Sequence, residues 1–185
     1  MQSVFNFLIK PKGEQYNNRE EINGQEVIVN TSLEHAKDVN KNAIVVGLPM
    51  GYEGNVQIGD EVIVWHNVFR ISYNDAGIPR QSNFYIQEDL FFAPLDTIYL
   101  IIRNGKKIAA NDSVFVKPVI ENDEFHGEIE KKHVGILKYI NPDIEKLGLK
   151  EGDKIAFRRN CEYEFFVEGE RLYKMTTERI LALLN

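Results

Sequence analysis

The chain has 185 residues, of which 43% are hydrophobic, 11% aromatic and 27% charged, and its formal net charge at pH 7 is -6. This composition is typical of a packed globular protein and excludes a chain dominated by disorder. The acidic balance opposes a nucleic-acid phosphate backbone, and no apolar run of about 18 residues exists to span a membrane, so neither is an expected partner.

Short runs rich in Val, Ile, Phe and Tyr, bounded by turn residues, recur along the whole chain and predict strands. In the first half they are residues 4–9, 26–30, 43–48, 61–65, 68–73, 84–87 and 97–102. In the second half they are residues 113–117, 134–140, 154–158, 163–167 and 171–175. Helical periodicity is weak and predicts at most one turn at residues 143–147, after Pro142. The fold class expected is all-β, built from small barrels or sandwiches.

A glycine–aspartate pair recurs about half a chain length apart, as Gly59-Asp60 and Gly152-Asp153, each time before a predicted strand. Around these pairs we align residues 26–30 with 113–117 and residues 43–46 with 135–138. Matching order and spacing indicate one small β unit used twice.

This repeat predicts four segments. They are an N-terminal extension with an edge strand at 1–24, a first barrel at 25–102, a linker at 103–110 and a second barrel at 111–185. The single cysteine, Cys161, cannot form an internal disulfide, so we expect a protein of the cytoplasm in which the thiol is a packing residue.

The second half resembles the GroES-like co-chaperonins, also called chaperonin-10. The resemblance lies in an opening strand at residues 111–118, in Gly135-Ile136-Leu137, in the glycine–aspartate strand at residues 152–157, and in a closing hairpin and final strand between residues 163 and 184. Residues 25–102 are similar, less closely.

The resemblance implies two tandem small irregular Greek-key β-barrels that assemble as a homo-oligomeric ring. Such a ring is a lid that docks on a large ATP-dependent chaperonin to assist protein folding. The lid itself does no covalent chemistry and needs no cofactor.

Members of this family dock through a mobile loop between the first two main strands, which carries a hydrophobic tripeptide just after glycine. The segments we match to it are residues 118–133 and residues 31–42, and a third candidate contact is the extended hairpin at residues 69–84. In the second half Gly127 is followed by Glu128-Ile129-Glu130 and not by consecutive aliphatic residues, and any of these loops could instead be a plain solvated surface loop. The candidate partner-binding residues are Val119, Ile120, Phe125, Ile129, Leu33, Val39 and Ile78.

Ring closure is expected through edge strands at the two termini, because pairing satisfies exposed backbone groups. The residues expected at this subunit seam are Phe5, Phe7, Ile9, Ile180, Leu181 and Leu183.

The missing aliphatic triplet leaves an alternative open: a structural or adaptor protein of a large assembly, for example a phage particle, that kept the barrel without chaperonin docking. An enzyme is not expected, because the sequence has no nucleophile elbow and no phosphate-binding glycine loop. His35, His66, His126 and His133 do not form a helical metal-binding pair, so no metal is expected. Trp65 is interpreted as a core or seam residue.

Overall fold

The computed structural model describes residues 3–16, 19–22, 25–28, 39–123 and 127–184. Almost all regular structure in these residues is β-strand, which confirms the all-β prediction. The chain divides into two compact units, Met1–Asn104 and Gly105–Asn185. Within the described ranges, no helix has the length and apolar character needed to cross a bilayer.

The described residues of the first unit form ten strands. They are β1 (Phe7–Pro11), β2 (Arg19–Ile22), β3 (Gln25–Ile28), β4 (Asn42–Gly47), β5 (Glu61–Val64), β6 (Ser72–Tyr73), β7 (Pro79–Arg80), β8 (Tyr85–Gln87), β9 (Leu90–Ala93) and β10 (Ile98–Arg103). Six of them form an antiparallel sheet in the order β8-β9-β1-β4-β5-β10. Two small hairpins, β2-β3 and β6-β7, lie outside this sheet.

In the second unit the described residues form seven strands and one α-helix. They are β11 (Lys106–Ala109), β12 (Ser113–Asp123), β13 (Gly127–Tyr139), α1 (Pro142–Lys146), β14 (Lys154–Phe157), β15 (Tyr163–Val167), β16 (Glu170–Thr176) and β17 (Ile180–Leu184). Its antiparallel sheet has the order β15-β16-β12-β13-β14-β17. The helical turn predicted at residues 143–147 is α1, whose N-cap is the buried Asn141.

The two sheets have the same strand order. By position in the sheet, β1 corresponds to β12, β4 corresponds to β13 and β5 corresponds to β14. The pair β8-β9 corresponds to the pair β15-β16. The registers agree as well: Lys10 pairs with Ile44, Lys117 pairs with Ile136, and each lysine is followed by a proline. One topology is therefore present twice.

This correspondence corrects the alignment made from sequence. The prediction set residues 1–24 outside the repeat, with an edge strand, and matched residues 26–30 to β12. The strand equivalent to β12 is β1, which is central in its sheet because it pairs with β4 on one side and β9 on the other. Alternating apolar residues at 26–30 fit any strand, whereas the shared Lys-Pro ending was the specific signal. Part of the predicted linker at 103–110 forms β11.

In the first unit the glycine–aspartate turn closes on the middle of β4. Gly59 has φ +90°, the left-handed value that the third position of a type II turn requires. Its N–H donates to the carbonyl of Val45 at 2.8 Å, and the N–H of Val45 donates to the carbonyl of Asp60 at 2.9 Å. The Asp60 carboxylate accepts from the N–H of Gln57 at 2.7 Å, which fixes the turn from inside.

The second unit repeats this arrangement bond for bond. Gly152 has φ +92° and donates to the carbonyl of Leu137 at 2.8 Å, while Leu137 donates to the carbonyl of Asp153 at 2.9 Å. The Asp153 carboxylate accepts from the N–H of Lys150 at 2.9 Å. Each turn thus holds the start of the next strand against a buried residue of the sheet.

One ion pair strengthens the turn of the first unit. Arg103, at the end of β10, donates from Nε to Oδ1 of Asp60 at 2.7 Å and from a terminal nitrogen to Oδ2 at 2.6 Å. The same terminal nitrogen donates to the carbonyl of Asn55 at 2.8 Å. The Asp60 side chain is almost fully buried, and this hydrogen bonding raises the pKa of Arg103.

Replacing Arg103 by methionine should destabilise the first unit. The variant Arg103→Met keeps the apolar stem but leaves the buried Asp60 carboxylate without its counter-ion, which we expect to lower the free energy of unfolding by about 2 to 3 kcal/mol. Urea unfolding followed by the fluorescence of Trp65, the only tryptophan, reports on this unit.

The control is Lys12→Met, which removes the exposed ion pair with Glu61. That change should cost less than about 1 kcal/mol. Equal losses in the two variants would contradict a structural role for the buried pair.

Candidate functional site

The connection between β1 and β4 occupies the position in the first unit at which the resemblance predicts a docking loop. It spans residues 12–41 and includes the β2-β3 hairpin. The prediction had matched only residues 31–42 to that loop, because it took residues 26–30 for the preceding strand. Of the two candidate residues there, Leu33 lies outside the described residues, and Val39 is 2% exposed and belongs to the core.

A tight neck joins the two ends of this connection. The buried side chain of Asn40 donates to the carbonyls of Lys12 at 2.9 Å and Glu14 at 2.8 Å, and its Oδ1 accepts from the N–H of Asn42 at 2.9 Å. The N–H of Asn40 donates to the carbonyl of Gln15 at 2.9 Å. Every polar group of this amide is thereby used to fix the point at which the connection leaves the sheet and returns to it.

Beyond the neck, residues 17–38 form the segment that we call the arm. It contains Gly24 and, after the two intervening residues Gln25 and Glu26, the three consecutive aliphatic residues Val27-Ile28-Val29. Val27 and Ile28 belong to β3, which pairs with β2. Recognising the repeated Lys-Pro ending from sequence would have placed this triplet in the connection and not in a core strand.

The corresponding region of the second unit is a hairpin and not a loop. β12 and β13 stay paired out to Asp123 and Gly127, so the segment 118–133 predicted as a loop is mostly strand. Ile120 is 50% exposed and Ile129 is 40% exposed, while Val119 is partly buried. Phe125 lies outside the described residues.

Charged side chains tie this hairpin to the neighbouring strands. Arg171 on β16 donates to Glu130 on β13 at 2.8 Å, and also to Glu164 on β15. The Tyr173 hydroxyl donates to the other oxygen of Glu130 and accepts from Arg171 at 2.7 Å. Glu130 interrupts the expected aliphatic triplet, and its contacts account for a charged residue at that position.

The third predicted contact, the hairpin at residues 69–84, lies beside the neck. Its strands β6 and β7 are joined by a turn in which the Asn74 side chain accepts from the N–H of Ile78 at 2.8 Å. The side chain of Ile78 is 58% exposed. The N–H of Ile71 donates to the Tyr16 hydroxyl at 2.6 Å and fastens the hairpin to the neck. The counterpart connection in the second unit spans only residues 158–162.

The residues predicted for the subunit seam separate into two groups. Phe7 and Ile9 are fully buried in a strand paired on both sides, so they cannot form a seam and this part of the prediction is wrong. Phe5 is 78% exposed. Leu181 and Leu183 are more than half exposed, and Ile180 is half-buried against the core.

The strand β17 that carries these leucines is the end strand of its sheet. Beside it lies a cleft of about 390 Å³ lined by Ile144, Leu147, Leu181 and Leu183 among others. An apolar cleft next to an open strand edge can accept an added strand together with its side chains.

Cys161 packs against the core of the second unit, as predicted. Burial raises the pKa of its thiol, and the nearby carboxylate of Glu162 raises it further. The thiol donates to the carbonyl of Arg158 at 2.9 Å, so the neutral form is favoured and reactivity as a thiolate is suppressed. Within the described part of the chain no three His, Cys, Asp or Glu side chains converge as metal ligands.

Comparison with protein-family models gave no match to this chain, and comparison with the curated proteins gave none either.

The contacts of Glu130 with Arg171 and Tyr173, which we call the clamp, predict a raised pKa for the Tyr173 hydroxyl. Burial and the hydrogen bond to Glu130 raise the pKa of Tyr173 from the ordinary 10.0 to about 12. Because the folded chain holds this proton more tightly than the unfolded chain, the stabilisation is complete below pH 10 and is lost as the pH rises through about 12. Titration of the tyrosine ring carbons by NMR measures this value.

The variant Glu130→Gln should lower the pKa of Tyr173 while leaving it above the ordinary value, because burial is the larger cause. Glu128→Gln, on an exposed neighbour in the same strand, should leave it unchanged. A pKa of Tyr173 that does not respond to Glu130→Gln would show that the clamp does not form in solution.

Proposed function

We propose that this chain is a tandem GroES-like co-chaperonin that assembles into a ring and docks as a lid on a large ATP-dependent chaperonin. The observation that carries the proposal is the pair of units with one strand order and one glycine–aspartate turn. It extends to the whole chain the pattern by which the second half resembles that family. In this proposal the chain is not an enzyme, needs no cofactor, and leaves ATP hydrolysis to its partner.

The arm of the first unit is the proposed docking element. It supplies the sequence feature that the resemblance calls for, a glycine followed closely by consecutive aliphatic residues, Val27-Ile28-Val29. It also occupies the right connection, between the first two main strands of the sheet. Burying such side chains on a partner provides contact energy for docking.

The rigid neck supports this assignment. Asn40 and the paired segments around it hold both ends of the arm at one place on the sheet. A contact made by the arm therefore acts on a folded unit without a long loose tether. The clamped hairpin of the second unit, with Glu130 engaged by Arg171 and Tyr173, is less suited to this role.

Assembly is proposed to use the open edge of β17. Leu181 and Leu183 present apolar surface beside an unpaired strand edge, and closed rings are the usual way in which proteins cover such edges. Phe5 of a neighbouring copy is a candidate to fill the cleft beside β17, since its apolar side chain is 78% exposed.

The alternative, a structural or adaptor protein of a large assembly such as a phage particle, is favoured by one feature. The second-unit connection is a paired hairpin with Glu128-Ile129-Glu130 in place of an aliphatic triplet. Such a protein would keep the assembly edge and would not bind a chaperonin.

Docking is tested by replacing one residue of the arm. The chain should co-migrate on size exclusion with a double-ring chaperonin of its host in the presence of nucleotide, and Ile28→Ser should weaken that complex about ten-fold or more, because a buried isoleucine contributes about 1.5 to 3 kcal/mol. The matched control is Ile129→Ser in the second-unit hairpin, which should bind as the wild type does.

Absence of a complex with every nucleotide tried would remove the lid role and favour the structural alternative. Loss of binding in Ile129→Ser, with Ile28→Ser unaffected, would move the docking element to the second unit.

Assembly is tested by charging the open edge. Native mass spectrometry of the wild type should give a closed oligomer, and Leu183→Asp should give monomers because a carboxylate cannot be buried cheaply at an apolar contact. Phe166→Asp, an exposed apolar residue on β15 at the opposite edge of the same sheet, is the control and should remain oligomeric. A monomeric wild type would contradict ring assembly.

A further inference from the structure

A polar cleft in the first unit is not explained by the duplication. It has a volume of about 470 Å³ and lies between the short 3-10 helix His66–Val68 and the base of the β6-β7 hairpin. Trp65, Asn67, Arg70 and Phe84 are among the residues that line it. The second unit cannot form a similar cleft, because its counterpart connection is limited to residues 158–162.

Among the residues that the structure describes, Arg70 in this cleft has no counter-ion. No described residue offers its guanidinium a hydrogen bond or an ion pair, and its Nε is buried without an acceptor. The chain has 28 acidic residues against 22 lysines and arginines, so a shortage of carboxylates does not explain the isolation of this arginine. Buried polar groups nearly always have partners, and an orphan donor in a cleft points to an acceptor supplied from outside.

A complementary orphan lies in the same wall. The side-chain oxygen Oδ1 of Asn67 is buried and has no donor among the described residues. The cleft therefore has an unused donor on Arg70 and an unused acceptor on Asn67. A ligand with a carboxylate and a nearby N–H would satisfy both.

Two aromatic rings in the lining of the cleft are held in place. Trp65 and Phe84 meet edge to face with ring centroids 6.1 Å apart, and both are partly exposed. Ser82 donates to the carbonyl of Val68 at 2.6 Å and accepts from the N–H of Phe84 at 3.2 Å, which fixes the wall that carries the second ring. Two rings on a fixed wall suit an apolar side chain.

The surroundings of the cleft are electropositive. Burial lowers the pKa of His66, and the positive charges of Lys41 and Arg70 lower it further. His66 is therefore neutral at pH 7, and it leaves Arg70 as the cation that a ligand in the cleft meets.

We propose that this cleft binds the carboxylate end of a peptide whose last side chain is apolar. Arg70 pairs with the terminal carboxylate, and Asn67 accepts a hydrogen bond from the N–H of the last peptide residue. Trp65 and Phe84 contact the apolar side chain of that residue. The Asn67 oxygen and the Arg70 Nε are covered by neighbouring atoms, so in this proposal the two partly exposed side chains rotate to meet the ligand. This site goes beyond the proposed lid function and does not depend on it.

Trp65, the only tryptophan, provides the assay. N-acetyl-phenylalanine carries the carboxylate, the N–H and the apolar side chain, and its titration should change the fluorescence of Trp65 saturably. The neutral amide of the same compound lacks the carboxylate, and benzoate lacks the N–H. Each should bind about ten-fold more weakly or worse, since leaving one member of a buried polar pair without its partner is costly.

The variant Arg70→Gln should remove the difference between the acid and its amide. Arg80→Gln, an exposed arginine on β7 outside the lining of the cleft, is the control and should bind as the wild type does. If Arg70→Gln does not fold, the comparison of acid and amide on the wild type still decides.

Equal binding of acid and amide, equal binding of benzoate, or no saturable response to any of the three compounds would overturn the proposal. No chaperonin is present in this assay, so its outcome is independent of whether the chain is a lid.

Discussion

Both units depend on a pair of backbone hydrogen bonds by which a glycine–aspartate turn closes on a buried residue of the second main strand. The acceptor and donor are the carbonyl and N–H of Val45 in one unit and of Leu137 in the other, and both side chains are buried in the sheet. The turn needs a residue with φ near +90°, a conformation that costs other residues about 1 to 2 kcal/mol, and glycine supplies it in both places. Once this contact is made, β5 and β14 can start only where they do, and the order of the remaining strands follows.

Around this shared frame the two units differ where the chain leaves the sheet. In the first unit the β1–β4 connection is closed at its base by Asn40 and carries the aliphatic Val27-Ile28-Val29. In the second unit the same connection is a paired hairpin, in which Arg171 and Tyr173 hydrogen-bond to Glu130. The duplication has thus kept the sheet and varied its connections, which is the usual division between scaffold and function.

The sequence predicted the parts of this molecule that depend on local chemistry. The strand class, the two glycine–aspartate turns, the helical turn after Pro142 and the equivalence of residues 43–46 with 135–138 all follow from residue type and spacing. The first strand was misassigned because the connection from β1 to β4 is longer than the connection from β12 to β13. Phe7–Pro11 therefore lies outside the regular spacing that relates the other matched segments of the two halves. The paired hairpin at residues 118–133 was missed because charged residues on both its strands hide the alternation that marks a half-buried strand. Arg70 and the cleft that it lines gave no sequence signal, since an unpartnered side chain is recognised only from its neighbours.

We propose above all that the arm of the first unit is the surface that binds the chaperonin. This is tested most directly by hydrogen exchange of the chain, alone and mixed with a double-ring chaperonin and nucleotide. The method measures the protection of the backbone amides in each connection separately. In the complex, we expect new protection only at the amides of residues 17–38. The protection of amides in the hairpin at residues 119–133 should be the same with and without the chaperonin. Protection absent from the arm in a mixture where the complex has formed would contradict this proposal.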